Sequence, residues 1–187
     1  MKIILVLIIL LPLKMLGQKV DSVIFWTDSY DLTWDDFQGN SDSLSFAIES
    51  NRLANAASSV GLEFVGVDSM VGCYLLKSVF YRNTSWTTDT TDLLLSHEQV
   101  HFHLIELSAR RFRKRYLEEY RNCMNEDDLN DLFDLSFKEF TDNSSLYDAQ
   151  TNYGTVVINQ KLWNEKVKTK LDSLKDYTEN VVICYCD

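Results

Sequence analysis

Thr91-Asp92-Leu93-Leu94-Leu95-Ser96-His97-Glu98-Gln99-Val100-His101-Phe102-His103-Leu104-Ile105-Glu106-Leu107-Ser108-Ala109-Arg110 is the stretch on which the fold turns. From Leu93 to about Tyr120 there is no Gly or Pro, and helix formers dominate. The segment before it, Thr87 to Asp92, is rich in residues that cap helix N-termini. One long helix is therefore expected here.

Within it, His97-Glu98-Gln99-Val100-His101 has the spacing H-E-x-x-H. Residues four apart on a helix differ by only about 40° in direction, so both imidazoles face one point and can share a Zn²⁺ ion. Glu98 is turned by about 100° and reaches the same space without being a ligand, as a general base should. His103 is rotated by about 240° from His97 and cannot join that metal; it is read as a surface residue or one behind the ligands. Glu106 lies about 180° from His97 and is rejected as a ligand. An i, i+4 salt bridge to Arg110 is its expected role. A catalytic zinc normally takes three protein ligands, so the third must come from beyond this helix.

On the N-terminal side the pattern is strand-like. Val23 to Trp26 reads as a short strand. Val60, Leu62 and Phe64 alternate with Gly61, Glu63 and Val65, and a second run spans Val71 to Tyr81. Asp68-Ser69 between them predicts an antiparallel hairpin. Trp34, Phe37 and Trp86 are expected in the core rather than in a substrate cleft. On the C-terminal side, Asn125 to Asp128 caps a second helix carrying Leu129, Leu132, Phe133, Phe137 and Phe140. Asp142-Asn143-Ser144-Ser145 is expected to break it, leaving Tyr147 to Gly154 as a loop. Trp163, Val167, Leu171 and Leu174 stripe a third helix, and Val181 to Cys186 reads as a last strand. Strands first and helices after predict a single α+β domain.

With 45% hydrophobic and 25% charged residues, this is the composition of a globular chain, not a disordered one. A formal charge of -10 argues against a nucleic-acid partner. The basic run Arg110-Arg111-Phe112-Arg113-Lys114-Arg115 is expected as a solvated helix face pairing with Glu106, Glu118 and Glu119. Met1-Lys2 followed by the apolar run Ile3–Leu13, which contains the only proline, Pro12, reads as a signal peptide ending at Gly17. That leaves residues 18–187 as the mature domain, exported to the periplasm or beyond, with no stable membrane insertion. Export favours disulfides among Cys73, Cys123, Cys184 and Cys186, with the C-terminal strand tied to the body. Asn83-Thr84-Ser85 and Asn143-Ser144-Ser145 fit the glycosylation sequon.

Three segments together, Leu32 to Gly39, Asn83 to Trp86, and Leu95-Ser96-His97-Glu98-Gln99-Val100-His101-Phe102, resemble a family of bacterial secreted zinc-dependent proteases first described as a domain of unknown function. The resemblance spans roughly Leu32 to Trp163, and it implies export, a small zincin-like domain, a bound Zn²⁺ and hydrolysis of peptide or protein substrates. The family shows Tyr-Asp-x-x-Thr-x-His-Gly downstream, and its His is the plausible third ligand. Here the stretch is Tyr147-Asp148-Ala149-Gln150-Thr151-Asn152-Tyr153-Gly154, so Tyr153 takes that position. Tyr153 is the expected third ligand by this resemblance, with Asp148 as the alternative. The departure also leaves open a weakly binding site or a non-catalytic binding protein on the same scaffold. Hydrolysis of another amide, for instance in the cell wall, is a further reading of the same residues.

Overall fold

A computed structural model of the chain describes residues 22–40, 56–67, 70, 72–120 and 124–185. The segment read as a signal peptide, the Asp68-Ser69 turn, Cys123 and Cys186 lie outside them. The described residues form an α+β structure with three helices and two small antiparallel sheets.

The sheet is organised around β4 (Cys73–Tyr81). β3 (Val60–Gly66) pairs along one edge, from Val60↔Phe80 to Gly66↔Tyr74. The other edge is shared by two short strands. β1 (Val23–Phe25) covers Val79 to Tyr81, and β6 (Val182–Cys184) covers Cys73 to Leu75. A disulfide between Cys73 and Cys184 fastens β6 in place, as expected for the C-terminal strand. A second, two-stranded sheet joins β2 (Ala56–Ala57) to β5 (Trp86–Thr87).

The long helix α1 (Asp92–Glu119) crosses the sheet. Its first turn is capped by Thr91, whose hydroxyl accepts from the Leu94 N–H. Leu76, Ser78 and Phe80 of β4 alternate toward it, and Phe80 packs on Phe102 with ring centroids 5.8 Å apart. Phe37 and Trp86 are buried and Trp34 packs on Phe37, so these aromatics are core, as expected. Among the described residues no helix is long and apolar enough to cross a membrane.

Three expectations are corrected. First, Asp142 to Ser145 does not end a helix. α2 runs from Glu126 to Thr151, capped by Asn125, and Tyr147 to Thr151 is its last turn rather than a loop. The polar residues that suggested a break are used within the helix: the Asn143 amide donates to the Glu139 carbonyl and Lys138 pairs with Asp142. Phe140, Tyr147 and Thr151 are meanwhile buried along one stripe, which drives the helix onward.

Second, the basic run is not a solvated face. Arg110 and Arg113 are buried, and both guanidinium groups donate to Glu106 at 3.0 Å. Ser78 of β4 also donates to Glu106, at 2.7 Å. Arg113 reaches the Leu76 carbonyl and Arg110 the Leu171 carbonyl, tying sheet, α1 and α3 (Val157–Ser173) together. The expected Glu106–Arg110 pair is part of this larger knot. Arg111 and Arg115 pair with Glu139 of α2, and Lys114 with Glu118. Third, His103 is half-buried rather than on the open surface. Its Nδ1 accepts from the Trp26 indole N–H at 3.0 Å, and burial, opposed by Asp31, Asp28 and Glu106, lowers its pKa.

Candidate metal centre

His97 and His101 leave the first half of α1 on one face, and the last full turn of α2 brings Asp148 to them. Asp148 Oδ1 lies 3.2 Å from His97 Nε2 and 3.0 Å from His101 Nε2, and the two Nε2 atoms are 3.3 Å apart. Among the described residues this is a group of three donors able to hold one metal ion.

The far side of each imidazole decides what those three atoms carry. His97 Nδ1 is 3.2 Å from Gln160 Oε1 of α3. The same Oε1 accepts from the Tyr147 hydroxyl at 2.6 Å, and the Gln160 amide nitrogen donates to the Ser96 carbonyl and to Asn164. That fixes Oε1 as an acceptor, so His97 carries its proton on Nδ1 and turns the Nε2 lone pair to the centre. His101 Nδ1 meets the Ser144 hydroxyl of α2 at 2.7 Å, which can accept in the same way. Tyr147 also stacks on the His97 ring at 4.5 Å and fixes its plane.

Two imidazole lone pairs and a carboxylate oxygen thus face one another within 3.3 Å in a largely buried place. Asp148 Oδ1 accepts no hydrogen bond of good geometry despite its two close neighbours. Three electron-rich atoms repel unless a cation joins them. Zinc bonds of about 2.0–2.2 Å at tetrahedral angles separate neighbouring donors by about 3.3–3.5 Å, close to the observed spacings. The residues fit the ion. Without it, protons carry that load. Burial works against charge on His101, but Asp148 and Glu98 outweigh it and raise its pKa. Burial likewise opposes ionisation of Asp148, but the two imidazoles hold its carboxyl far below the usual range.

Glu98 is buried beside this group, and its Oε2 accepts from the Ser58 N–H at 3.0 Å. That bond ties the carboxylate to the chain just after β2. Glu98, His97, His101 and Asp148 open onto a cavity of about 320 Å³, which Tyr153 and Gly154 also line. The turn after α2 takes left-handed backbone at Asn152, Tyr153 and Gly154, with φ of 45°, 53° and 81°. Gly154 is needed there for a second reason, since a Cβ would meet His97 Cβ and Cγ at 3.0 Å. Tyr153 stands at the mouth of the cavity, 39% exposed.

The sequence pointed to His97, Glu98 and His101, with Tyr153 as third ligand and Asp148 as the alternative; the structure brings His97, His101 and Asp148 together, and Glu98 and Tyr153 line the same cavity. It missed Ser144, Tyr147 and Gln160, the residues that orient the imidazoles. A signal for Gln160 existed: it continues the apolar stripe of Trp163, Val167 and Leu171 as a lone amide. Comparison with family models, with curated proteins and with solved structures finds no match to this chain.

Proposed function

We propose that this chain is a zinc-dependent hydrolase of zincin-like build that cleaves peptide bonds, with His97, His101 and Asp148 as metal ligands and Glu98 as general base. The observation that carries this reading is the convergence of two imidazole nitrogens and a carboxylate oxygen within 3.3 Å, with Glu98 lining the same cavity. A histidine pair with one carboxylate is a donor set suited to zinc. When bound, the ion supplies Lewis acidity toward the carbonyl and makes water a nucleophile near neutral pH.

The chain does the rest. Ser58 holds the Glu98 carboxylate at the cavity wall, ready to take a proton from the attacking water. Glu98 then delivers that proton to the nitrogen of the leaving amine, so the peptide is cut with the addition of one water. Gln160 and Ser144 keep the imidazoles in the ligating tautomer. Tyr153 lines the cavity at its mouth and belongs, in this reading, to the substrate side. Residues 1–17 as a signal peptide place the mature domain outside the cytoplasm, where peptides or proteins are its substrates.

The test joins metal analysis to one substitution. Purified protein should bind about one zinc per chain and hydrolyse a casein or peptide-mixture substrate. Glu98→Gln should keep the zinc and lose about 10²–10⁴-fold in rate, since the amide cannot accept the proton. Zinc binding without any hydrolysis would favour the non-catalytic reading, for which the replacement of the family's His by Tyr153 is the motive. Undiminished hydrolysis by Glu98→Gln would remove Glu98 from the mechanism.

A further inference from the structure

A second cavity, of about 410 Å³, lies between the C-terminal halves of α1 and α3. Its floor is apolar, with Leu107 and Leu174. Its walls carry Arg111, Lys114 and Arg115 from α1 and Lys170 from α3. The acids at its rim are Glu118 and Glu119, and Glu139 of α2 pairs with both arginines, so four cations stand against three acids although the chain as a whole stands at -10. Such a reversal of sign against the molecule's mean field localises an anion rather than merely keeping the surface solvated.

The pairing inside the cluster leaves donors over. Arg111 and Arg115 both turn to one carboxylate, that of Glu139. Arg115 Nη1 is nevertheless buried without a hydrogen-bond partner, as is Glu139 Oε2 of the same cluster. Glu118 is divided between Lys114, at 4.0 Å, and the Tyr177 hydroxyl, at 2.9 Å. Lys166, one turn before Lys170, lies over the Trp163 ring at 4.1 Å. Partial burial lowers the Lys170 pKa, and the positive charges of Arg111 and Lys166 lower it further. The crowded Lys170 ammonium lines this cavity together with Arg111, Lys114 and Arg115, and an anionic guest relieves that crowding.

We propose that this cavity binds a phosphate-type anion, with Arg111, Lys114, Arg115 and Lys170 as its donors. Two arginines supply planar paired N–H groups, which suit phosphoryl oxygens, and two lysines add charge. The anion is either a free phosphate or a phospholipid headgroup, whose first acyl carbons would lie on Leu107 and Leu174. The site lies on the later turns of α1, beyond His101, and does not depend on how that centre is read.

Two measurements on the full protein decide. One is a calorimetric titration with inorganic phosphate. The other is co-sedimentation with phosphatidylglycerol vesicles, against phosphatidylcholine vesicles. Saturable phosphate binding identifies a free anion; binding to phosphatidylglycerol alone identifies a headgroup. Either should weaken about tenfold or more in Lys114→Glu/Lys170→Glu and in the milder Lys114→Met/Lys170→Met, and should fall as NaCl rises. Lys138→Glu, on the exposed side of α2, should leave it unchanged. Binding to neither probe overturns the proposal, and so does binding that survives in both folded double variants.

Discussion

Asp148 and Tyr153, the two side chains considered for the third metal position, differ in what they require of a proton. The Asp148 carboxyl is ionised far below neutral pH, held so by two imidazoles against the opposing effect of burial. A phenol must give up its proton before its oxygen can serve as an anionic ligand. Asp148→Ala should therefore weaken zinc binding about a hundredfold or more, beyond what loss of a supporting hydrogen bond brings. Tyr153→His should leave affinity little changed if, as proposed, Asp148 is the third ligand. A competition titration with a chromogenic chelator reads both; a large gain in Tyr153→His with none lost in Asp148→Ala would return the role to residue 153. His103 gives a separate prediction. Its folded pKa lies below the ordinary 6.5, because burial disfavours the imidazolium and Trp26 already donates to Nδ1. As pH falls, the unfolded chain takes up this proton first. Stability from His103 is thus complete above pH 6.5 and declines as the solution is acidified below it. His103→Gln keeps an acceptor for Trp26 and removes the titration. Its stability against pH should be flatter over that window in urea melts, and an identical slope would contradict the assignment.

Each imidazole of the pair on α1 is oriented by another helix, so elements rather than single residues hold the geometry. Ser144 on α2 and Gln160 on α3 contact the two Nδ1 atoms. Ser144→Ala and Gln160→Leu should each reduce zinc affinity about 10–100-fold while the helical circular dichroism stays as in the parent. Wild-type affinity in both would show that the rings are oriented by packing alone. The sequence made α1 legible because two independent signals agree there: a run without Gly or Pro, and Thr91 at its start. The end of α2 was not legible, since Asp142 to Ser145 reads as a turn when its side chains are taken to be solvated. In the fold, Asn143 is bonded to its own helix and Ser144 to His101, contacts that the sequence alone does not supply. The basic run misled for a related reason. Local spacing shows that Arg110 can pair with Glu106, but not that Arg113 joins them, that Ser78 donates to the same carboxylate, or that the backbone carbonyls of Leu76, Leu171 and Tyr177 accept from the two arginines.

Across the whole molecule, the Cys73–Cys184 bridge spans 111 residues and encloses all three helices. Closing so long a loop in the unfolded chain should be worth about 4–5 kcal/mol on the chain-entropy account. The Cys73→Ala/Cys184→Ala variant should melt about 10 °C or more below the parent by calorimetry. A shift of a degree or two would place its stabilisation elsewhere. The sharing of one β4 edge by β1 and β6 reaches further, into the order in which the chain is made. A ribosome releases β1, β3, β4 and both histidines first, Asp148 some fifty residues after His97, and β6 last of the strands described here. Until β6 arrives, half of that edge has no partner, Cys73 has no bridge, and the segment around Leu171 and Tyr177 that receives Arg110 and Arg113 has only just emerged. A truncated chain therefore carries the H-E-x-x-H motif without the closed sheet that supports it. The timing of synthesis thus sets when His97, His101 and Asp148 gain a completed sheet beneath their helices.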